Sequence, residues 1–194
     1  EQMNYTKSKN RCLMYNFAGH PYINVKSSFS SFIPKTLNKK IVIKLVHYWL
    51  ERLRKYPELH DKIEFDIAIT TYSFDLKDKI KQLPKETFSK QEKIAIEKVY
   101  YNHFIKLMDS TNQGSLTKSK KEMQILETKL KELNNQKKSS IKKLISLCKK
   151  YGTIPFSKLA RHAFIGTTII KSLHNIGIIN SNKISNFSSS INTI

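Results

Sequence analysis

The sequence predicts an α+β fold that is mainly α-helical: a helical domain with a small antiparallel β-sheet (a hairpin plus one strand) and a long helical hairpin. Three observations lead to this prediction. Apolar residues recur every three or four positions over most of the chain, which is the period of a buried helix face. Two short apolar runs near the amino terminus flank turn residues. Residues 63–69 alternate with the period of a strand.

A β-hairpin is predicted near the amino terminus. The apolar runs 13–17 and 22–25 are separated by Ala-Gly-His-Pro, which favours a tight turn. Residues 26–32 then mix hydroxyl side chains with two phenylalanines, and Pro34 ends the segment. Because the rings favour burial and the hydroxyls need partners, this loop either lines a site for a small polar ligand or is a capped surface loop.

A deep helix follows over about residues 39–56. Asn38 is a suitable N-cap, and Pro57 ends the helix because the residue before a proline is pushed out of helical torsions. The stretch 63–69 is predicted to be a strand that pairs with the hairpin, since two strands alone rarely hold together in water. Residues 74–83 then form a short helix that stops before a proline.

Two longer helical segments come next. Ser89 and Glu92 form a capping box that starts a helix ending near Met108. Residues 116–151 are one long helix or a pair of antiparallel helices, because the polar residues 134–140 interrupt the apolar stripe.

The last main helix is predicted over residues 155–175. Gly152 suits a left-handed cap before it, Pro155 suits its first turn, and Gly177 closes it. The residues 180–194, rich in Ser and Asn, form a short final element.

We expect residues 1–194 to form one domain, with 116–151 as a possible protruding helical hairpin. Of the 194 residues, 39% are hydrophobic and 10% aromatic, which suits a folded chain. Because the chain begins at Glu1 without an initiator methionine, we expect an excised piece of a longer protein. No apolar run approaches the roughly 20 residues of a membrane helix. We therefore expect no membrane partner. Cys12 and Cys148 match no metal-ligand spacing, so we expect a cytoplasmic setting and no metal site.

The formal net charge of +20 raises the possibility of nucleic-acid binding, because Lys and Arg neutralise phosphates. Two observations disfavour it. There are only four arginines, the residue preferred for recognising bases and phosphates, and the lysines are spread along helix faces. A basic helical nucleic-acid-binding module and a structural spacer therefore remain alternative hypotheses.

The sequence contains no catalytic motif. It lacks a phosphate-binding glycine loop, HExxH and GxSxG, and its six histidines lie on separate elements, as packing or surface residues do. Glu64 and Asp66 would project from one face of the predicted strand, about 7 Å apart, where neighbouring lysines could pair with them. Arg161 and His162 could anchor a carboxylate, or pair with a neighbouring helix. The residues therefore indicate a binding domain, and we assign no catalytic residue.

Three segments resemble a known family: GHPYINVKSSFSSFIP, HDKIEFDIAITTYSFDL and YGTIPFSKLARHAFI. They resemble the central region of bacterial phosphoenolpyruvate synthase-like or pyruvate, phosphate dikinase-like enzymes. Within that family the chain is most similar to the capsule-biosynthesis branch whose activity is L-glutamine kinase, the first step towards the phosphoramidate decoration of capsular sugars. The resemblance covers nearly the whole chain.

In that family an ATP-grasp-like domain binds ATP, a mobile domain carries a phosphorylated histidine, and a mainly helical central region binds the acceptor. The resemblance implies the central region for this chain. ATP and magnesium then belong to the parent enzyme, and this segment holds no cofactor. The implied overall reaction converts ATP, L-glutamine and water into AMP, phosphate and L-glutamine phosphate.

The implied partners are L-glutamine or another small amino-acid-like acceptor, and the flanking ATP-binding and phosphohistidine domains. From residue chemistry, Lys26 or Arg161 would meet the acceptor's carboxylate, and Glu64 or Asp66 its ammonium. Lys26 and Ser30 stand where relatives would tend to carry Arg and Asn, and lysine lacks the bidentate fork of arginine. The candidate substrate-binding residues share polar or charged side chains within the three segments: Lys26, Ser28, Ser31, Glu64, Asp66, Thr70, Tyr72 and Arg161.

Overall fold

A computed structural model describes residues 3–6, 12–109, 114–134 and 140–191 of the chain. They fall into two compact units: unit 1 comprises Glu1–Phe104 and Gly166–Ile194, and unit 2 comprises Ile105–Ile165. This part of the chain has the predicted mainly helical α+β fold. Its strands and α-helices are β1 Met14–Phe17, β2 His20–Ile23, α1 Val25–Ser30, α2 Lys39–Lys55, α3 Leu76–Lys81, α4 Lys90–Leu107, α5 Ser115–Asn134, α6 Ile141–Leu147, α7 Ile154–Asn175 and α8 Ser181–Ser190.

The predicted hairpin is confirmed. Strands β1 and β2 pair antiparallel, with Met14 opposite Ile23. Ala18 and Gly19 between them have positive φ angles of 50° and 83°, as a two-residue type I′ turn requires. All residues of both strands are exposed, so the hairpin contributes little to the core.

The hydroxyl-rich segment after the hairpin is helical, and the predicted loop is wrong. Asn24 caps α1 by accepting a hydrogen bond from the Ser27 N–H at 3.0 Å. The Ser30 hydroxyl donates to a carbonyl four residues earlier at 2.8 Å. Phe29 is fully buried and packs edge-on against Trp49, with ring centroids 5.8 Å apart. The hydroxyls thus satisfy local backbone groups while the rings fill the core.

Helix α2 supplies four buried side chains to the core of unit 1: Ile41, Leu45, Val46 and Trp49. Full burial of such apolar side chains contributes about 1.5–3 kcal/mol each. Asn38 caps the helix by accepting from the N–H two residues later at 2.8 Å. The deep helix that the apolar stripe predicts is therefore confirmed.

The strand predicted at residues 63–69 is wrong. Ile63–Ile67 form a π-helical turn, closed by a hydrogen bond of 2.8 Å from the Ala68 N–H to the Ile63 carbonyl. Ile67 and the next two residues are buried in the core. The sheet described here has two strands, β1 and β2. Of the alternating apolar residues, Ile67 and Ile69 are buried in a mainly helical core rather than on a sheet, and the turn satisfies backbone amides locally.

Helices α3 and α4 lie where the sequence predicts them. The capping box of α4 is confirmed, because the Ser89 N–H donates to Glu92 Oε2 at 2.9 Å and the Glu92 N–H donates to Ser89 Oγ at 3.2 Å. Further along α4, the fully buried Tyr100 donates from its hydroxyl to the Ile69 carbonyl at 2.8 Å. This bond fixes the extended segment after the π-helical turn against α4.

In unit 2, α5 runs antiparallel to the helical segment that follows it. The Ser115 hydroxyl lies 2.6 Å from His162 Nε2. Two turns further along α5, Glu122 forms a 2.8 Å ion pair with Lys158. Later residues of α5 thus contact earlier residues of the partner segment, so the two run antiparallel. Both contacts are to α7, beyond residues 116–151 of the predicted helical hairpin. Its connection, residues 135–139, lies outside the described part of the chain.

The predicted left-handed cap at Gly152 is wrong. Cys148–Thr153 continue the helix as a π-helical turn between α6 and α7. Pro155 in the first turn of α7 lacks an N–H, and its ring conflicts with the carbonyl four residues earlier, so a widened turn accommodates it. Gly152 instead packs closely against α5, since a Cβ there would lie 3.2 Å from Leu126 Cδ2, which would have to shift slightly.

The end of α7 lies in unit 1 and is closed as predicted by Gly177. This residue has a φ of 78°. The Ile178 N–H donates to the Leu173 carbonyl and the Gly177 N–H to the His174 carbonyl, both at 2.9 Å, which is the Schellman motif. Helix α8 then begins after Asn180, whose side chain caps it.

Candidate functional site

The candidate site is a cavity of about 280 Å³ within unit 1. One wall is the segment that runs from the π-helical turn towards α3, and the other is the last turns of α7. Lys79 of α3 and Ile184 of α8 complete the lining. The polar and charged residues of the first wall that bear on its chemistry are Glu64, Asp66, Thr70 and Thr71, and those of the second are Lys171, His174 and Asn175.

The first wall is positioned by its own apolar residues. Ile67 and Ile69 are buried in the core, while Glu64 is half-buried and Asp66 is exposed. The Thr70 hydroxyl donates to the Glu64 carbonyl at 3.4 Å, which ties the end of the segment back to the turn. Because π-helical turns are rare and occur frequently at functional sites, this wall is a reasonable place for a ligand.

A buried hydrogen-bond network around Asp75 joins the two walls. Its carboxylate accepts from the Ser73 hydroxyl at 2.6 Å and from Asn175 Nδ2 at 2.8 Å, and lies 3.1 Å from the Lys79 ammonium. Burial alone would raise the pKa of Asp75, but the hydrogen bonds from Ser73, Asn175 and Lys79 outweigh it and hold the pKa below its usual value. The Phe74 N–H adds a second link, since it donates to an α7 serine hydroxyl at 3.2 Å.

Opposite charges face the same cavity. The Glu64 and Asp66 carboxylates have no hydrogen bond or ion pair with another described residue. Lys171 lies over the Phe65 ring, with Nζ 4.2 Å from the ring centroid. This cation–π contact holds the ammonium at the wall and leaves its N–H donors without a carboxylate partner in the described part of the chain. The arrangement is complementary to a ligand with both an ammonium and a carboxylate.

Thr71 is the least expected residue of the lining. Its residue surface is 3% exposed, and its hydroxyl oxygen has no hydrogen-bond partner among the described residues. A buried hydroxyl that lacks a partner destabilises the fold, and most buried polar groups are paired.

The structure brings three of the eight sequence-predicted site residues into this cavity: Glu64, Asp66 and Thr70. Lys26, Ser28 and Ser31 lie on or directly after α1 and are not part of its lining. The Ser31 hydroxyl is used locally, donating to the Ser28 carbonyl at 2.7 Å. Arg161 lies on α7 within unit 2, and Tyr72 packs on other aromatic rings, with its centroid 5.2 Å from that of Tyr101.

Sequence reasoning missed the contribution of α7. Thr168, Lys171 and Asn175 all line the cavity, and they are spaced three and four residues apart, so they share one helix face. This polar stripe near the end of the helix was the available signal. Thr71 gave no such signal, because a threonine in a polar corner is ordinary.

Unit 2 contains a separate polar pair, the Ser115 hydroxyl and His162 Nε2, at 2.6 Å. Burial lowers the pKa of His162, and its Nδ1 is buried without a hydrogen-bond partner among the described residues. A nucleophilic serine needs a histidine that a third group orients through this nitrogen. The pair therefore fits helix packing better than catalysis.

Comparison with models of known protein families, with curated proteins and with solved structures finds no match. Among the described residues, no group of three or more His, Cys, Asp or Glu side chains could hold a metal ion. None of the helices in the same residue ranges is both long and apolar enough to cross a membrane.

Proposed function

We propose that unit 1 binds a small amino-acid-like molecule in this cavity, as the acceptor-substrate-binding domain of an ATP-dependent phosphohistidine dikinase that phosphorylates L-glutamine. One observation carries the proposal. Two carboxylates that pair with no described residue, a lysine held against an aromatic ring and several hydroxyl-bearing residues line a single cavity of about 280 Å³. This charge pattern is complementary to an amino acid.

Each charged group has a specific role in the proposal. Glu64 or Asp66 binds the acceptor's ammonium, as predicted from the sequence. Lys171 binds its carboxylate, in place of Lys26 or Arg161, because Lys171 lines the same cavity as the two acids. The Asp75 network keeps the two walls at a fixed separation, so the opposite charges meet one ligand rather than each other.

The proposed reaction is ATP, L-glutamine and water giving AMP, phosphate and L-glutamine phosphate, for capsule phosphoramidate biosynthesis in the cytoplasm. A histidine on a flanking domain carries the phosphoryl group, and a further flanking domain binds ATP with magnesium. This chain contributes acceptor binding and orientation. We expect it to bind L-glutamine without turning it over by itself.

A nucleic-acid-binding module is the second candidate function, and the surface of unit 2 favours it. Exposed lysines are dense on its helices: Lys118, Lys120, Lys121, Lys131, Lys142, Lys143, Lys149 and Lys150. Such a surface attracts phosphate backbones, with an affinity that falls steeply as salt rises.

Calorimetric titration of the 194-residue chain with L-glutamine tests the proposal. We expect saturable binding, weakened about tenfold or more by the double substitution Glu64→Gln with Asp66→Asn, because hydrogen bonds to charged groups contribute roughly 1.5–3 kcal/mol. The double substitution Glu58→Gln with Asp61→Asn is the matched control, since these two exposed acids are not part of the lining.

Duplex DNA at two salt concentrations provides the competing titration. Salt-sensitive binding to DNA without any response to L-glutamine would contradict the acceptor-binding proposal and support the second candidate. Equal affinity for L-glutamine in the cavity variant and the control would move the binding site away from this cavity.

A further inference from the structure

We propose that the Thr71 hydroxyl is a specificity-determining ligand contact, which hydrogen-bonds an uncharged polar group of the molecule bound in the unit 1 cavity. The inference rests on the proposed function, because it assigns a role at the same site. It adds a residue that the sequence did not single out, and it fixes the direction in which a ligand lies.

The hydroxyls of the cavity lining differ in whether they already have a hydrogen-bond partner. The Ser73 hydroxyl is taken by Asp75 at 2.6 Å, and the Thr70 hydroxyl is directed to the Glu64 carbonyl at 3.4 Å. Thr71 is a residue of the lining, and its hydroxyl oxygen is buried without a partner among the described residues. It is therefore not committed to another described group, whereas the Ser73 hydroxyl is.

A buried hydroxyl without a hydrogen bond has lost its contacts with water and gained nothing in exchange. The free protein is destabilised by this group, and a ligand that bonds to it removes the penalty. A binding site in which part of the affinity comes from satisfying a buried group discriminates strongly against ligands that lack the matching atom.

The cavity lining has an exposed end and a buried end. Asp66, Lys171 and His174 are exposed, whereas Thr71 and Ser73 are 3% and 1% exposed. A ligand's charged groups therefore meet the exposed end, and its remaining polar group meets the buried end at Thr71.

That remaining group is uncharged because, among the described residues, the buried end offers no free charge to pair with it. The buried carboxylate nearby, Asp75, already accepts from Ser73 and Asn175 and pairs with Lys79. Burying an unpaired ion is far more costly than burying an amide or a hydroxyl. The cavity thus selects an amide or hydroxyl side chain over a carboxylate or an ammonium.

The test is a cycle of two ligands and two proteins, measured by calorimetry on the full chain. Thr71→Val removes the hydroxyl and keeps the shape. L-norvaline is the ligand control, because it resembles L-glutamine but lacks the side-chain amide. We expect Thr71→Val to weaken L-glutamine binding roughly tenfold and to leave L-norvaline binding unchanged. Thr128→Val, at an exposed position of α5 whose hydroxyl donates to a carbonyl of its own helix at 3.3 Å, should change neither.

Ligand-free stability supplies a second, independent measurement. Because the Thr71 hydroxyl bonds to no described residue, Thr71→Val should melt at the wild-type temperature or about 2–4 °C above it. Melting several degrees below wild type would show that the hydroxyl is already paired, and would overturn the inference. Thr71→Ser keeps the hydroxyl and removes only the methyl group, so it should retain L-glutamine binding within about threefold and separates loss of the hydroxyl from loss of packing.

The two failures are distinguishable. If the wild-type chain binds L-glutamine and Thr71→Val binds it equally well, the inference is overturned and the proposed function stands. Equal weakening for L-glutamine and L-norvaline also overturns it, because the effect is then on the shape of the cavity. If the wild-type chain binds neither ligand, the proposed function itself fails and the inference fails with it.

Discussion

Asp75 shows how a single residue sets the geometry of the candidate site. It is 7% exposed, and its hydrogen-bond partners come from the first wall, from α3 and from α7. A carboxylate in this position can serve as a fixed connection because all its partners are donors. The Asp75 charge is already paired within the protein. Glu64 and Asp66 are therefore the acids of the cavity lining that can bind a ligand.

We predict that Asp75→Asn lowers the free energy of unfolding by about 1–3 kcal/mol, because the amide cannot accept every hydrogen bond that the carboxylate accepts. The loss should depend on pH. The pKa of Asp75 is lowered in the folded state from its usual 3.8, so the unfolded state binds more protons in acid. The stabilisation is complete well above pH 3.8 and is lost as the pH falls through the folded pKa. Urea unfolding from pH 7 to pH 3 measures it.

Asp78→Asn is the matched control for this prediction. Asp78 pairs with Lys81 at 2.8 Å, but both side chains are more than 60% exposed, and such pairs contribute little. We expect a change below roughly 0.5 kcal/mol. A wild-type advantage over Asp75→Asn that stays constant down to pH 3 would contradict the assignment of the Asp75 network.

At the scale of elements, the helices could be predicted because their signals are local. Asn38 caps α2, Ser89 and Glu92 form the capping box of α4, and Gly177 closes α7, each through hydrogen bonds between near neighbours in sequence. The type I′ turn of the hairpin belongs to the same class, because its torsions are set by two adjacent residues.

The π-helical turns were not predictable in the same way. The alternation at residues 63–69 suits a strand, but a strand needs a partner, and residues 67–69 are instead buried in a core built from several helices. Half of the candidate site could not be predicted from the sequence for the same reason. Glu64, Asp66 and Thr70 were identified by their chemistry, whereas Lys171 and Asn175 reach the cavity through the packing of α7, which no local pattern specifies.

Two glycines of α7 and its cap allow a paired prediction at this scale. Gly177→Ala should destabilise the protein by about 1 kcal/mol, because its φ of 78° suits glycine and strains other residues. Gly166→Ala should instead stabilise it by up to about 1 kcal/mol, since this position is helical and an added Cβ would have no described atom within 4 Å apart from its chain neighbours and the backbone of its own helix. Chemical denaturation of the two variants gives both signs. Two changes of the same sign would contradict the described end of α7.

At the scale of the whole molecule, the net charge of +20 and the candidate site belong to different features of the chain. The cavity of unit 1 carries both signs of charge, whereas the exposed surface of α5 and α6 is mainly basic. Salt therefore separates them: binding in the cavity should weaken modestly as salt rises from 50 to 200 mM, while binding of nucleic acid to the lysine-rich helices should fall by orders of magnitude.

Hydrogen–deuterium exchange of the chain with and without L-glutamine tests the central claim most directly, because it reports which backbone amides a ligand protects. The account predicts slower exchange in peptides covering residues 64–73 and 168–175, and unchanged exchange in α5 and α6. Protection confined to residues 25–34 would place the acceptor at the hydroxyl-rich helix α1 instead. No protection anywhere at saturating L-glutamine would contradict the assignment of an amino-acid site to this cavity.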